Sequence, residues 1–325
     1  MTDRDMTLTL EPAADPTPRP LALTPGEDLA GFVGAYLGRA LLFVVTCTSV
    51  LAVFLILVFV IVRSVPFFTG QSISQFLTSR AWHPTSDPPA FGALTLIVGS
   101  LYVSAAALVF AVPVGILAAV FLSDIVSWKI RNVVKPVVEI LAAIPSVAYG
   151  FFAVLVLAPW MQRHFGFSTG TNALNAALIL AVMALPTIIS VGEDSISALG
   201  RELREASYSL GATRLETVVK VVIPAAHSGI IAAVVLGMMR AIGETMVVWM
   251  ASGNATQIPQ PWWDLSQSIR TMTATIAGEM GEAPEGSSHR SALFAVGVVL
   301  LLMTFILNVV SEYFLSRAGK AAGKG

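Results

Sequence analysis

Two oppositely charged residues, Arg240 and Glu244, lie in an apolar run at residues 225–251, where charged side chains are rare. A run of this length is sufficient to cross a bilayer as a helix, which takes about 20 apolar residues. In a continuous helix, side chains at this spacing share one face and lie about one turn apart. Placing an arginine near the middle of such a span costs about 2.5–3.5 kcal/mol even on a lenient insertion scale. Arg240 is therefore expected to have a partner or a ligand.

The chemistry open to this pair is anion recognition. The planar guanidinium of Arg240 matches the geometry of phosphate and carboxylate oxygens. Glu244 would hold Arg240 in place between substrates, or accept a hydrogen bond from a protonated phosphate. An acceptor carboxylate disfavours fully ionised anions such as sulfate, which have no proton to donate. The alternative is a structural ion pair that keeps two helices in register.

The composition is that of a helical membrane protein. Of the 325 residues, 55% are hydrophobic and 12% are charged, whereas soluble domains carry about 25% charged residues. Long apolar runs predict an all-α polytopic protein with six transmembrane helices. Pro113, Pro145 and Pro186 are expected to interrupt the second, third and fourth spans. The predicted spans are residues 40–62, 93–122, 137–158, 174–192, 225–251 and 292–314.

Lysine and arginine are distributed unevenly between the loops. With the N-terminus inside, thirteen of the 19 Lys and Arg residues lie on the cytosolic side, five on the other side, and Arg240 within the membrane. Because cytoplasmic loops carry the excess of positive charge, both termini are predicted to be cytoplasmic. The predicted division is a flexible cytosolic N-terminal tail at 1–38, a six-helix membrane domain at 39–316 and a basic cytosolic tail at 317–325.

The sequence lacks the motifs that would support catalysis by this chain alone. It has no G-x-x-x-x-G-K-[ST] phosphate-binding loop, and its four histidines are scattered without metal-ligand spacing. The single cysteine, Cys47, cannot form a disulfide framework within the chain. The net charge of -1 gives no indication of nucleic-acid binding. We therefore expect no enzyme activity, no cofactor, no metal and no nucleic-acid partner.

The cytosolic loop at residues 197–224 carries a second pattern, E-A-S-x3-G-x9-V-x-I-P. It predicts a short helix that Gly211 ends in the left-handed conformation. The pattern resembles the EAA loop of ABC-importer permeases, E-A-A-x3-G-x9-I-x-L-P. This resemblance implies that Glu205, Ala206 and Gly211 seat a partner ATPase and pass its motion to the fifth span. The alternative is an amphipathic surface helix with solvated charges.

Three further segments are similar to PstC-type permeases of the phosphate-specific ABC importer. They are R-A-I-G-E-T-M from Arg240, A-I-P-S-V-x-Y-G-F-F from Ala143 and T-M-T-A-T-I-A-x-E-M-G from Thr271. The resemblance covers about residues 40–316 and implies a type I, MetI-like permease fold in the lipid of the bacterial inner membrane. It also implies phosphate passage at Arg240 and Glu244. The implied partners are a sister PstA-type permease, two PstB-type ATPase subunits and an external PstS-type phosphate-binding protein.

Two other functions stay open. One is a permease for another oxyanion, such as molybdate or sulfate. The other is a stand-alone ion-coupled anion carrier, which would need ion sites within its own spans and no EAA-like loop. The two long outer loops, residues 64–91 and 252–290, contain tryptophans that either anchor at the membrane interface or dock an external protein.

Overall fold

The computed structural model describes residues 25–322, and the chain divides into two compact units at Val58. The described part of the first unit belongs to α1, Pro25–Gly70, and within this unit the side chains of residues 36–58 are exposed. Residues 1–24 of the predicted flexible tail lie outside the described residues, whereas residues 25–38 are helical. The predicted domain boundaries at 39 and 316 stay predictions.

The second unit, Phe59–Gly325, contains all the elements that follow α1. In the first half these are α2 Ile73–Thr78, β1 Trp82–His83, β2 Ala90–Phe91, α3 Leu94–Val120, α4 Trp128–Ala143, α5 Ser146–Phe152, α6 Ala158–Phe165 and α7 Ala173–Ser197. In the second half they are α8 Glu202–Ser209, α9 Arg214–Thr217, α10 Ile223–Ala225, α11 His227–Gly243, α12 Met246–Ala251, α13 Met272–Glu279 and α14 Ser288–Ala322. Three π-helical turns complete the described helices, at Phe121–Ile125, Ala153–Leu157 and Val218–Val222.

The membrane-spanning helices predicted from the sequence are present, but two of them are broken. Within residues 25–322, four helices are long and apolar enough to cross a membrane, and two bent helix pairs give six if each pair is one span. The four are Tyr36–Gly70, Leu94–Ile125, Ala173–Ser197 and Ser288–Val310. The bent pairs are Trp128–Ala143 with Ser146–Phe165, at 88°, and Arg214–Ala225 with His227–Gly243, at 71°. The all-α membrane class is confirmed.

The three prolines expected to interrupt spans behave differently. Pro113 lies inside α3 and Pro186 inside α7, and both helices continue through them. The expected interruption is wrong at these two positions, because the packing of α3 on α7 holds both helices together on either side of the proline. At the third site the helix does end, since α4 stops at Ala143 and Ile144 is extended before Pro145.

The fifth span is shorter than predicted. Its helix, α11, ends at Gly243, and Glu244 has the extended backbone conformation φ -72°, ψ 136°. The remaining apolar residues form a separate short helix, α12. The predicted continuous run over 225–251 is therefore wrong at its C-terminal end, because hydropathy reports that residues are apolar but not that the backbone continues as a helix.

The core of the second unit is built around α7, which packs against both α3 and α11. Five of its fifteen buried residues are alanines, and the larger ones include Ile179, Leu180, Met183 and Ile188. Small residues at helix contacts let the backbones approach closely. This packed group of three helices is the frame that carries Arg240 at one helix end and the cytosolic loop at another.

A second core lies in the first long loop. Trp82 pairs with Phe91 across a short antiparallel ribbon, and Phe67 packs edge to face against Phe91 with ring centroids 5.5 Å apart. Trp82 is only 1% exposed, so neither interfacial anchoring nor docking describes this residue. In the second long loop, by contrast, Trp262 and Trp263 are exposed.

Gly99 on α3 lies against the backbone of Arg270, and a β-carbon at position 99 would be 2.2 Å from the Arg270 carbonyl oxygen. The substitution G99A should destabilise the protein by about 1–3 kcal/mol, because the backbone must move to make room. Thermal denaturation of the purified protein measures the effect. Gly281 has nothing within 4 Å of its β-carbon position, so G281A is the matched control. Equal melting temperatures for G99A and G281A would contradict the close approach.

Candidate functional site

Arg240 lies in the last turn of α11 and is half-buried. Its Nη2 donates a long hydrogen bond of 3.5 Å to the carbonyl oxygen of Ala142. Its Nε is buried and has no hydrogen-bond partner in the described part of the chain. A buried donor left without an acceptor costs about 1–3 kcal/mol. This N–H therefore needs an acceptor that the described part of the chain does not provide.

The partner of Arg240 is a helix end inside the membrane-spanning region. Ala142 belongs to the last turn of α4, where the third span breaks and bends by 88°. The last four carbonyls of a helix lack partners within it, and together they carry about half a unit of negative charge. A cation is stabilised at this position, which offsets part of the cost of placing Arg240 in an apolar layer.

Glu244 faces different surroundings. Its Oε1 accepts a hydrogen bond of 3.1 Å from the Thr245 N–H, and its main-chain carbonyl accepts one of 2.9 Å from the Thr273 hydroxyl. Glu244 lines a small cavity of about 10 Å³, which is about the space for one water molecule. The polar side chains that line this cavity with it are Ser100, Ser104, Thr271 and Thr273.

The expectation that Arg240 and Glu244 share a helix face is wrong. Because α11 ends at Gly243, the backbone turns before Glu244 and the spacing rule no longer applies. No ion pair joins the two side chains in the part of the chain that the structure describes, and Arg240 is held by a neutral carbonyl instead. The structural ion pair considered from the sequence is therefore not formed. The two residues remain sequence neighbours with separate environments.

The predicted helix and glycine stop of the cytosolic loop are both present. Helix α8 ends at Ser209, and Gly211 adopts the left-handed conformation with φ +85°. Glu205 and Ala206 are exposed on this helix, and Leu210 just beyond it is 89% exposed. Leu210 is one of several exposed apolar side chains in this loop, and such a group is typical of a surface that a partner covers.

The loop after Gly211 is held by local hydrogen bonds. Thr213 and Glu216 form a capping box at the start of α9, in which each side chain bonds the other's backbone N–H. The buried hydroxyls of Ser207 and Thr217 lie 2.9 Å apart. Ser207 replaces the alanine of the EAA pattern, and this contact gives the replacement a physical role, since it joins α8 to α9.

Ionic contacts connect the cytosolic loop to the second span and join α4 to α7. The Asp124 carboxylate accepts a hydrogen bond of 2.6 Å from Arg204 Nε, and Arg214 donates to the Asp124 main-chain carbonyl. Glu193, which is 1% exposed, pairs with Lys135 at 2.7 Å and also with Arg131. Sequence reasoning missed Glu193. The available signal was an acidic pair, Glu193 and Asp194, at the end of an apolar run on the side predicted to be basic.

The substitution D124N should loosen the cytosolic loop. It removes the charge that pairs with Arg204 in a site where both side chains are mostly buried, and a hydrogen bond to a charged group contributes about 1.5–3 kcal/mol. We expect a lower melting temperature of the purified protein. The control is E285Q, because Glu285 is 90% exposed and lies 3.5 Å from Arg290, and such surface pairs contribute about 0–1 kcal/mol. An unchanged melting temperature for D124N would show that the contact carries no stability.

The two long loops meet around Glu279. Its carboxylate accepts hydrogen bonds from Trp82 Nε1 at 3.0 Å and from Arg270 at 2.7 Å, and His289 Nε2 lies 2.9 Å away. These residues line an open cavity of about 760 Å³. The contacts join the first loop to α13 and to the start of α14. Among residues 25–322, no group of three or more His, Cys, Asp or Glu side chains is arranged to hold a metal ion.

Comparison with known proteins identifies the class of this molecule. The family model described as "Binding-protein-dependent transport system inner membrane component" matches residues 111–320. This match covers more than half of the chain, and the protein therefore belongs to that family. It is a multi-pass permease subunit of the plasma membrane and not an enzyme. Its partners are an ATPase, which hydrolyses ATP, and a substrate-binding protein.

Individual relatives cover most of the chain. It is 40% identical over 248 residues to the "Probable ABC transporter permease protein YqgH" of Bacillus subtilis, covering 76% of this chain and 79% of the relative. It is 35% identical over 301 residues to the "Phosphate transport system permease protein PstC" of Mesorhizobium japonicum, covering 85% and 90%. The inward-facing MetNI methionine ABC transporter matches with a TM-score of 0.53 and 18% identity, over 69% of this chain and 96% of that one. This structural similarity to the methionine transporter supports the type I importer fold.

Proposed function

We propose that this chain is the permease subunit of an ATP-driven phosphate importer and forms, with a sister permease, the path for inorganic phosphate. The observation that carries the proposal is the buried, unpartnered Nε–H of Arg240 beside the break in the third span. Relatives named as phosphate permeases, at 31–35% identity over most of the chain, support the same substrate.

Arg240 is suited to transient binding of an oxyanion. A phosphate offers several oxygens to the guanidinium fork and can accept from two of its N–H groups at once. In the resting chain the competing acceptor is a neutral carbonyl at 3.5 Å, so phosphate displaces one weak hydrogen bond rather than an ion pair. Transport requires binding that is strong enough for entry and weak enough for release. A single guanidinium meets both conditions.

Glu244 is proposed as the second phosphate-contacting residue. One of its oxygens bonds the Thr245 N–H, which leaves the other free to accept from a P–OH group. Sulfate has no such proton at neutral pH, so this contact would favour phosphate. The cavity beside Glu244 is only about 10 Å³ and is too small for phosphate, so Glu244 would meet the anion only in a conformation that widens it.

The proposed assembly contains a PstA-type sister permease, two PstB-type ATPase subunits and an external PstS-type phosphate-binding protein, with both chain termini in the cytoplasm. Glu205, Ala206 and Gly211 are proposed to seat one ATPase. The exposed Leu210 supports this role. Motion of α8 would pass through the Arg204–Asp124 contact to the end of the second span, and through α9 and α10 to α11, which carries Arg240.

The test is uptake by the complex reconstituted in proteoliposomes. With ATP and phosphate-loaded binding protein, labelled inorganic phosphate should accumulate inside the vesicles. Unlabelled sulfate or molybdate at equal concentration should not reduce this accumulation. Competition by either anion would favour a permease for another oxyanion. Accumulation that continues without the ATPase subunits would instead indicate a stand-alone carrier.

A further inference from the structure

The break in the third span leaves one helix carbonyl without its usual donor. In a continuous helix the N–H of residue 145 would bond the carbonyl of Leu141, but proline has no N–H. The Tyr149 hydroxyl donates to that oxygen at 2.9 Å, and the Ile144 N–H lies 3.4 Å from it. Tyr149 therefore ties the beginning of α5 back to the end of α4 across the 88° bend.

The next carbonyl of α4 is the one that Arg240 contacts. Ala142 accepts the 3.5 Å hydrogen bond from Arg240 Nη2, so the direction of this carbonyl depends on how the end of α4 is held. Tyr149 is 9% exposed and packs in the same core as Val247 and Val248 of α12. Its ring is thus held by α12, on the side of the fifth span.

A neutral acceptor for Arg240 has a consequence for anion binding. Charge-assisted hydrogen bonds are about twice as strong as neutral ones, so a carboxylate partner would compete strongly with an arriving phosphate. The end of α4 instead supplies a carbonyl and a partial negative charge. These keep the guanidinium near the break while its Nε–H stays without a partner in the described residues.

We propose that Tyr149 is a positioning residue for anion transfer: by holding the end of α4, it sets the carbonyl that places Arg240 for an incoming phosphate. The inference rests on the proposed function, since it assigns Arg240 to phosphate. Tyr149 does not itself contact the anion. Its effect is transmitted through the carbonyls of Leu141 and Ala142.

The test compares two tyrosines that lose the same atom. In proteoliposomes with saturating phosphate-loaded binding protein, Y149F should lower the phosphate transported per ATP hydrolysed by about three- to tenfold, the range of one net hydrogen bond. The ATPase rate and assembly should be unchanged. Y102F is the control, because Tyr102 packs against the same core and its hydroxyl has no hydrogen-bond partner in the described residues. Y102F should transport normally.

A double variant tests whether Tyr149 acts through Arg240. Lysine at position 240 keeps the charge but not the fork, so R240K should lower transport, and R240K/Y149F should be no lower than R240K alone. Additive losses would overturn the inference. So would a Y149F variant that matches Y102F, or one whose ATPase rate falls in proportion to transport, as a merely structural role predicts.

The outcomes also separate this inference from the proposed function. Absence of phosphate uptake by the unsubstituted complex would overturn the proposed function. Normal transport by R240Q would overturn the role of Arg240 and, with it, the positioning role of Tyr149. Loss of transport in R240Q with normal transport in Y149F would overturn the positioning role alone. If Y149F does not assemble, the double variant P145A/Y149F decides, because alanine at position 145 returns an N–H that can bond the Leu141 carbonyl in place of the tyrosine hydroxyl. Assembly with a normal ratio of phosphate transported per ATP would support the inference, and a lowered ratio or a failure to assemble would overturn it.

Discussion

Uptake of phosphate by the reconstituted complex is expected to fall at least about 100-fold when Arg240 is replaced by Gln. Two charge-assisted hydrogen bonds to the anion are lost, and each contributes about 1.5–3 kcal/mol. The complex should still assemble, because in the described chain Arg240 makes one long hydrogen bond to a neutral carbonyl and no ion pair. ATP hydrolysis stimulated by the binding protein should therefore continue while phosphate transport stops.

The matched control for R240Q is R163Q. Arg163 is an exposed arginine in the last turn of α6 and donates to the carbonyl of Pro159 at 3.2 Å, so the same substitution removes a similar neutral contact away from the site. R163Q should transport normally. If R240Q keeps transporting phosphate, Arg240 is not the anion contact. If R240Q instead prevents assembly while R163Q does not, Arg240 has a structural role at the break in the third span.

Much of the fold is predictable because bilayer thickness and hydropathy determine where long apolar helices occur. The breaks within these helices are harder to predict. Pro113, Pro145 and Pro186 each remove one helix hydrogen bond, yet the third span alone ends at its proline. The difference arises from tertiary contacts: at the break, Tyr149 provides a hydroxyl for the freed Leu141 carbonyl. A pattern of apolar residues does not contain that information.

The candidate site was only partly predictable for the same reason. Arg240 was identifiable as an expensive charge in an apolar run, and its expected need for a partner is met by an unforeseen one, the carbonyl of Ala142. That partner is 98 residues away in sequence. The assignment of Glu244 to the same face assumed that the helix continued through Gly243, and the chain turns there instead. Local features such as the stop at Gly211 were predicted correctly, because a short loop is governed by its own backbone preferences.

Replacement of Gly211 by Val is expected to weaken the association of the ATPase and to lower phosphate uptake with it. The residue has φ +85°, a conformation that costs an ordinary L-residue about 1–2 kcal/mol and a β-branched one more. The strain would favour a different exit from α8 and move the exposed Leu210 out of place. Because 1.4 kcal/mol corresponds to about a tenfold change in an equilibrium, ATPase co-purification and phosphate uptake should both fall about tenfold or more.

The control for G211V separates backbone conformation from side-chain size. A β-carbon at position 211 would have nothing within 4 Å, so it would clash with no described atom of this chain. Asparagine tolerates the left-handed conformation, and G211N should therefore retain most ATPase association. If G211N is as defective as G211V, the open space beside Gly211 is occupied by the partner in the complex, and size matters more than φ. If G211V keeps both ATPase association and uptake at the level of the unsubstituted protein, α8 and its glycine stop do not form the coupling surface.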